Sequence, residues 1–229
     1  MTAILSNLQA VRTAINLAAQ LAHRNPAEIS LIAVSKTMPS GALREAHSNG
    51  QKAFGENFMQ EALVKINDLR DLSLEWHFIG PIQSNKTRAI AENFDWVHSV
   101  DRLKIAQRLS EQRPSGLPPL NVCLQINISS EATKGGVMPD EAASLATAIS
   151  TLPHLKLRGL MAIPAPAENL ADQRLPFAKM RDLLKQLNTS GLNLDTLSMG
   201  MSHDLTAAVL EGATMVRVGT AIFGARVKS

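Results

Sequence analysis

The chain has 229 residues, of which 45% are hydrophobic and 19% charged, a composition that supports a sizeable core and argues against disorder. That length fits one large domain or two small ones. The formal net charge is +3 and the basic residues are scattered, so we expect no nucleic-acid partner. No apolar stretch is long enough to cross a bilayer, and we expect no membrane partner. The single Cys123 cannot form an internal disulfide, which predicts a core cysteine in a reducing compartment.

Residues 2–24 are the first predicted element. Apolar residues recur there at Ile4, Leu8, Val11 and Ile15, in steps of three and four that indicate an amphipathic helix. The segment lacks acids and carries two arginines, so it also resembles a weak transit peptide. We favour a structural helix, because only residues 25–28 separate it from the first predicted strand.

Short apolar or alternating runs then alternate with helical patterns along the chain. Strands are predicted at 29–35, 52–55, 75–79, 94–99, 120–128, 156–163, 193–199 and 214–218. Helices are predicted between them at 41–49, 58–69, 85–92, 102–111, 139–151, 171–187 and 203–211. This order indicates parallel βαβ units, and we predict a single domain over 1–229: a (β/α)8 TIM-type barrel over about 29–226 with an extra N-terminal helix. A doubly wound open sheet stays possible, since alternation alone does not establish closure.

One predicted strand carries polar residues along one face. Asn121, Cys123, Gln125 and Asn127 point one way in the run 121–128. A buried parallel strand is usually apolar on both faces, so this row indicates either a polar ligand in a barrel lumen or a hydrogen-bonded core network. The same alternation gives two further shared faces: Ile32 with Val34 and Lys36, and Glu75 with His77 and Ile79.

Lys36 comes directly after the apolar run 29–35, and Thr37, Met38 and Pro39 break the pattern behind it. A lysine there is expected at the carboxyl end of a strand and partly stripped of water, which lowers the pKa of an ammonium group. A neutral amine can attack an aldehyde and form a Schiff base. The alternative is a lysine that extends from the strand end into solvent.

The last two predicted strands end in segments suited to an anion. Barrels often bind phosphate in the loops after strands seven and eight. Gly200 permits close backbone approach there, Ser202 is placed as a helix N-cap, and Gly219 with Thr220 supplies an amide and a hydroxyl.

Arg217 lies two residues before Gly219 and therefore projects to the same side of its strand. An arginine inside a barrel needs an acceptor, which could be a carboxylate or the ring nitrogen of a cofactor. An amine on the first strand and an anion site after the neighbouring eighth strand would together suit pyridoxal 5′-phosphate, which has an aldehyde at one end and a phosphate at the other.

The chain resembles the pyridoxal phosphate homeostasis protein family. The motifs that carry the resemblance run in order from about 29 to 226: AVSK at 33–36, FGEN at 54–57, WHFIGPIQSNK at 76–86, RGLMAI at 158–163, SMGMSHD at 198–204 and RVGTAIFG at 217–224. Two positions depart from the pattern. Phe58 stands where the family usually has tyrosine, and His203 where an acidic or polar residue is common.

The resemblance implies a barrel similar to the N-terminal domain of alanine racemase, with pyridoxal 5′-phosphate bound as an aldimine to Lys36. It implies a cytoplasmic, non-catalytic protein that carries and buffers the cofactor, with apo-enzymes as recipients and Lys134 in a loop used in transfer. It places Arg217 toward the pyridine nitrogen. The cofactor-binding residues so implied are Lys36, Asn57, His77, Met201, Ser202, Arg217, Gly219 and Thr220.

Two enzymatic functions remain as alternatives. A weak amino-acid racemase would use Lys36 as its base, but the sequence has no tyrosine to act as the second base that racemases take from a partner subunit. Because that partner arrangement is missing, we expect a monomer. A Schiff-base aldolase acting on a phosphorylated sugar could show a similar lysine and phosphate site. The six histidines lack metal-ligand spacing, so no metal is expected.

Overall fold

The computed structural model describes residues 2–129, 131 and 134–224. Eight parallel strands form a closed barrel in sequence order. The strands are β1 (Ser30–Val34), β2 (Ala53–Glu56), β3 (Glu75–Phe78), β4 (Trp96–Val100), β5 (Leu120–Gln125), β6 (Leu155–Met161), β7 (Thr196–Ser198) and β8 (Met215–Val218). The helices over the described residues are α1 (Ala3–Leu21), α2 (Ser40–Ser48), α3 (Met59–Asp68), α4 (Thr87–Asn93), α5 (Leu103–Gln112), α6 (Ala142–Ser150), α7 (Leu170–Thr189), α8 (Leu205–Leu210) and α9 (Thr220–Phe223).

Closure of the barrel depends on the pairing of its first and last strands. β1 pairs with β8 in parallel, with Ile32 opposite Arg217 and Ala33 opposite Val218. The predicted (β/α)8 barrel is therefore confirmed, and the open-sheet alternative is wrong. This pairing also brings the residues that follow β1 beside those that follow β8.

The N-terminal helix α1 is part of the helical shell around the barrel. Its buried stripe includes Leu8, Val11 and Ile15, and the side chain of Thr2 caps its first turn. The Asn7 amide donates to the carbonyl of Ile222, which ties α1 to α9. The structural helix expected from the apolar periodicity is thus confirmed. Within the described ranges, each helix is too short or too polar to span a bilayer.

Two apolar layers fill the molecule. The larger lies between strands and helices, as the alternation of apolar residues requires. The smaller lies inside the barrel and consists of Ile32, Trp96, Cys123, Met161 and Met215. The predicted core position of Cys123 is confirmed, and burial raises the pKa of its thiol to about 12, so it remains a protonated packing residue.

The polar row of β5 forms a hydrogen-bonded network. Asn121 accepts from the guanidinium of Arg158, and the Gln125 amide donates to the carbonyl of Gly135. The Asn127 amide donates to the carbonyls of Glu131 and Lys134. These hydrogen bonds anchor the loop after β5 to the barrel rim, and the alternative of a polar ligand beside this face stays a prediction.

Candidate functional site

A cavity of about 520 Å³ opens at the carboxyl ends of the strands. It contains seven of the eight site residues predicted from the sequence: Lys36, Asn57, Met201, Ser202, Arg217, Gly219 and Thr220. Val34, Ile79, Ile163, His203 and Ala221 complete the lining. Residues far apart in the chain meet here because parallel strands direct all their carboxyl ends to one face of the barrel.

Lys36 lies in a turn just past the end of β1. The strand ends at Val34, one residue earlier than the sequence pattern predicts, and Ser35 makes one further backbone hydrogen bond, to Gly55 at 3.0 Å. Thr37 then adopts a positive φ of 67°, a conformation uncommon for a residue with a side chain. The turn directs the partly buried Lys36 side chain into the cavity wall.

A buried cluster made of Ser35, Glu56, Glu61 and Lys65, here called the Lys65 cluster, holds this turn in place. The Ser35 hydroxyl donates to Oε1 of Glu56 at 2.6 Å. The Lys65 ammonium donates to the Ser35 carbonyl at 2.7 Å and to Oε1 of Glu56 at 2.8 Å. Glu61 accepts from the same ammonium and also from the N–H of Thr37. The backbone on both sides of Lys36 is therefore fixed.

Burial gives the Lys65 cluster its electrostatic character. Glu56 is 0% and Lys65 3% exposed. Desolvation raises the pKa of Glu56, against the opposing effect of Lys65. Sequence analysis missed this cluster. The four-residue spacing of Glu61 and Lys65 on α3 was a visible signal, but the approach of Ser35 and Glu56 depends on the pairing of β1 with β2.

The opposite wall is formed by the segments after β7 and β8. Gly200 has a φ of +94°, and a Cβ there would lie 2.5 Å from the Cβ of Ala208, so only glycine fits. The predicted N-cap role of Ser202 is wrong, because α8 begins at Leu205 with Asp204 as its N-cap. Asp204 instead accepts from the N–H of Met201 at 2.6 Å, which leaves the Ser202 hydroxyl in a turn on the cavity lining.

Gly219 brings this wall close to β1. A Cβ on Gly219 would lie 3.0 Å from the Val34 carbonyl oxygen and 3.3 Å from its Cβ. Thr220 follows as the first residue of α9, where N–H groups have no partner within a helix. The amide and hydroxyl donors after β8 therefore stand directly beside the turn that carries Lys36.

Arg217 lies at the floor of the cavity and is 4% exposed. Its NH1 group donates to the carbonyl and the hydroxyl of Ser198 at 2.6 and 2.7 Å, and its NH2 group donates to the Ala162 carbonyl at 2.9 Å. These acceptors are carbonyl and hydroxyl oxygens, and among the described residues Arg217 makes no ion pair with the carboxylate that one interpretation of the sequence required. Burial lowers its pKa to about 10, which leaves the guanidinium charged at neutral pH.

Asn57 and His77 occupy different environments. Asn57 lines the cavity, and its Oδ1 is buried with no hydrogen-bond partner among the described residues. His77 is absent from the described cavity lining and is completely buried below it. Its ring stacks on Trp96, and both of its nitrogens are engaged within the barrel, because the alternation of β3 directs it into the lumen. A direct cofactor contact by His77 does not fit this position.

Lys134 lies at the rim of the cavity. Its ammonium pairs with Glu131 at 2.7 Å and approaches the carbonyl of Ile163, a lining residue, at 3.5 Å. A cation therefore stands near the mouth of the cavity, and its role in transfer stays a prediction. Among the described residues, no group of three His, Cys, Asp or Glu side chains is arranged to hold a metal ion.

The fold and the site define a class of protein. The profile of the family described as alanine racemase, N-terminal domain, matches residues 6–227. The alanine racemase of Corynebacterium glutamicum shares the barrel with a TM-score of 0.70 at 21% identity, covering 97% of this chain and 60% of that one, a likeness of fold alone.

Closer relatives identify the family within that class. The pyridoxal phosphate homeostasis protein of Pseudomonas aeruginosa is 63% identical over 226 residues, 99% of this chain and 97% of the relative. The structure of PipY from Synechococcus elongatus with PLP bound is 38% identical, with a TM-score of 0.84, and the match covers 96% of this chain and all (100%) of that one. The chain belongs to the pyridoxal phosphate homeostasis protein family.

Proposed function

We propose that this protein binds pyridoxal 5′-phosphate in the cavity at the carboxyl end of the barrel and acts in intracellular homeostasis of that cofactor as a carrier and buffer. The observation that carries the proposal is the adjacency of β1 and β8. It brings the Lys36 amine and the donors of Ser202, Gly219 and Thr220 to one cavity of about 520 Å³. The name of the relatives and the PLP bound to PipY support the same assignment.

The lining residues fit the two ends of this ligand. At one end Lys36 would hold the aldehyde, its unprotonated amine condensing with the aldehyde carbon and releasing the aldehyde oxygen as water. At the other end the hydroxyls of Ser202 and Thr220 and the backbone N–H groups after Gly219 bind the phosphate, with Met201 beside them. The unpartnered Asn57 Oδ1 supplies an acceptor for a donor on the ligand, which accounts for a buried polar atom that is costly when unsatisfied.

Arg217 determines what the bound cofactor can do. Because the guanidinium stays protonated and faces the cavity, it donates to the pyridine nitrogen and keeps that nitrogen from taking a proton. An unprotonated ring is a weak electron sink, which opposes reactions that pass through a carbanion. The sequence also has no tyrosine to serve as the second base of a racemase. These two features favour storage of the cofactor over turnover.

Delivery to other proteins follows from the open mouth of the cavity. Lys134 stands there, paired with Glu131, next to Ile163 of the lining. We assign it the role of receiving the cofactor on its way out to apo-enzymes in the cytoplasm. A monomer suffices for this role, since every residue assigned to the site belongs to one chain.

Mass spectrometry tests the assignment. The protein is loaded with pyridoxal 5′-phosphate, reduced with borohydride and digested, and the pyridoxyl adduct is expected on Lys36. Lys36→Ala should abolish the yellow colour and the adduct. Lys86→Ala is the matched control, because Lys86 is also partly buried but lines a neighbouring cavity that excludes Lys36. An adduct located elsewhere in the wild type would refute the proposal.

A weak racemase is the second candidate, supported by the barrel shared with alanine racemase. The loaded protein is incubated with single L-amino acids and the enantiomer ratio is followed by chiral chromatography. We expect the ratio to stay constant. A racemisation rate that disappears in Lys36→Ala would establish the enzyme and reject the buffer.

A further inference from the structure

We infer that Glu75, His77, His98 and Ser198 form a polarised hydrogen-bonded chain through the barrel lumen that orients Arg217 toward the ligand. These four residues, here called the lumen chain, act as positioning residues. Its last step, the effect on a ligand, rests on the proposed function. The existence and direction of the chain do not.

The lumen chain is continuous from the amino end of the barrel to the cavity floor. Glu75 Oε1 lies 2.6 Å from His77 Nε2, and His77 Nδ1 lies 2.9 Å from His98 Nε2. His98 Nδ1 lies 2.7 Å from the Ser198 hydroxyl, which lies 2.7 Å from NH1 of Arg217. All five groups thus stand in one unbroken line of hydrogen bonds.

The direction of each hydrogen bond is determined from the arginine end. A guanidinium is always a donor, so the Ser198 oxygen accepts from Arg217. Among the described residues, Nδ1 of His98 is the one other partner of the Ser198 hydroxyl, and this buried hydroxyl is satisfied as a donor only if its proton goes to Nδ1, which we therefore assign as the acceptor. A neutral imidazole that accepts at Nδ1 carries its proton on Nε2, so His98 donates to Nδ1 of His77.

The glutamate end requires the same direction independently. A carboxylate is an acceptor only, so His77 must carry a proton on Nε2 and donate it to Glu75. Donors and acceptors therefore match at every junction with both rings neutral. If His77 were a cation, its Nδ1–H would donate to His98, His98 would donate to Ser198, and the buried serine hydroxyl would lose its acceptor.

The surroundings of His98 disfavour a positive charge on its ring. His77, His98 and Ser198 are each 0% exposed. Burial, with His77 and Arg217 nearby, holds the pKa of His98 well below its ordinary value. On the faces of the rings lies Trp96, with Arg158 above that indole at 4.8 Å. A positive charge on His98 would add a cation beside the buried Arg217.

The chain matters to the ligand because it sets the rotation of the guanidinium. The hydrogen bonds to Ser198 and Ala162 use three of the five N–H groups of Arg217, which leaves two for a ligand in the cavity that Arg217 lines. Since His98 takes the hydroxyl proton of Ser198, the serine oxygen stays turned toward Arg217. Removing that hydroxyl lets the guanidinium rotate away from the ligand.

Nuclear magnetic resonance of the protein without cofactor tests the chain itself. In ¹⁵N-histidine-labelled wild type, long-range ¹H–¹⁵N spectra should show His77 and His98 as neutral rings protonated on Nε2. Ser198→Ala should change the tautomer balance of His98 and, through it, of His77. The matched control is Ser99→Ala, which removes a buried hydroxyl that donates to the Gly80 carbonyl and should leave both tautomers as they are. A proton on Nδ1 of either ring in wild type, or no response to Ser198→Ala, overturns the inference.

Cofactor binding tests the positioning role. Ser198→Ala should weaken pyridoxal 5′-phosphate affinity about tenfold, the scale of one hydrogen bond involving a charged group, and shift the pH at which the bound cofactor changes colour. Ser198→Thr, which keeps the hydroxyl, should restore both, whereas Ser99→Ala should alter neither. If the tautomers are as described but Ser198→Ala leaves affinity and colour unchanged, the lumen chain is only a packing feature and its role in positioning Arg217 is rejected. Failure of the wild type to bind cofactor would reject the proposed function and leave the tautomer result to stand by itself.

Discussion

Lys65→Met is the substitution that probes the turn carrying Lys36 most directly. It removes the ammonium that contacts Glu56 at 2.8 Å and leaves a fully buried carboxylate whose one remaining partner among the described residues is the Ser35 hydroxyl. At an effective dielectric constant of about 20, the attraction lost is on the order of 6 kcal/mol. Removing Lys65 also removes the cost of burying its charge, which offsets part of this loss. We therefore expect a net loss of roughly 3–5 kcal/mol in the free energy of unfolding.

The loss should depend on pH in a definite direction. Burial already raises the pKa of Glu56, and without Lys65 it rises further. An acid whose pKa is raised in the folded state favours folding below its unfolded pKa, and that contribution is lost as pH rises through the folded pKa. The deficit of Lys65→Met relative to wild type should therefore be small in acid and largest above neutral pH.

Urea unfolding at pH 5 and pH 8 measures the deficit. The double variant Lys65→Met/Glu56→Gln is the control, because removing both charges should recover much of the stability lost in the single variant. Cofactor affinity should fall in Lys65→Met, since Ser35 beside Lys36 loses its anchor. A deficit below about 1 kcal/mol at pH 8, or one that does not change with pH, would show that the buried pair is not what holds this turn.

The remaining predictions concern the anion-binding wall, the lumen and the turn after β7. Ser202→Ala with Thr220→Val should cost roughly 1.5–3 kcal/mol of cofactor binding per hydroxyl, measured by equilibrium dialysis, and unchanged affinity would remove the phosphate assignment. The hydrogen bond from the neighbouring histidine lowers the pKa of Glu75, so its contribution to stability is present above the unfolded pKa of about 4.3 and lost as pH falls through the folded value. Glu75→Gln should thus lower the free energy of unfolding by less than about 1 kcal/mol at pH 7, because the Glu75 side chain is half exposed, and should have no effect in strong acid. Urea unfolding measures both values, and a deficit that persists in acid would contradict this prediction. Gly200→Ala should lower thermal stability by more than about 1 kcal/mol, because its φ is +94° and the new Cβ would meet an alanine methyl at 2.5 Å. Gly191→Ala is the control, because Gly191 has a similar φ of +93° and an added Cβ there would have no atom within 4 Å, so its loss measures the backbone contribution alone. Equal losses in the two variants would mean that the contact with Ala208 costs nothing.

The position of Lys36 shows how far local patterns extend. The alternation of β1 correctly placed Ile32 in the lumen and Val34 with Lys36 toward the cavity. It did not show that the strand ends at Val34 and that a turn with a positive φ at Thr37 delivers the lysine. That turn depends on Glu61 and Lys65, whose contacts to it span 24 and 30 residues of chain.

His77 lies at a different depth in the barrel than its motif position suggests. Its motif position predicted a residue of the ligand pocket, and the alternation along the strand put it on one face with Glu75 and Ile79. The side chain enters the lumen, where it stacks on Trp96. In the structure, however, His77 is completely buried and lies one layer below Ile79, which lines the cavity. The alternation of side chains distinguishes the two faces of a strand but does not show how deep in the barrel a residue lies.

The sequence by itself determined the alternation of strands and helices, the residues that share a face in three of the strands and the residue types that could hold a phosphorylated aldehyde, because these follow from local periodicity and side-chain chemistry. Only the tertiary structure decided barrel closure, the Lys65 cluster and the lumen chain. His98 and Ser198 are 100 residues apart in the chain, and no local pattern specifies that their side chains meet. Strand register and the shape of the barrel bring them together, and both are properties of the whole fold.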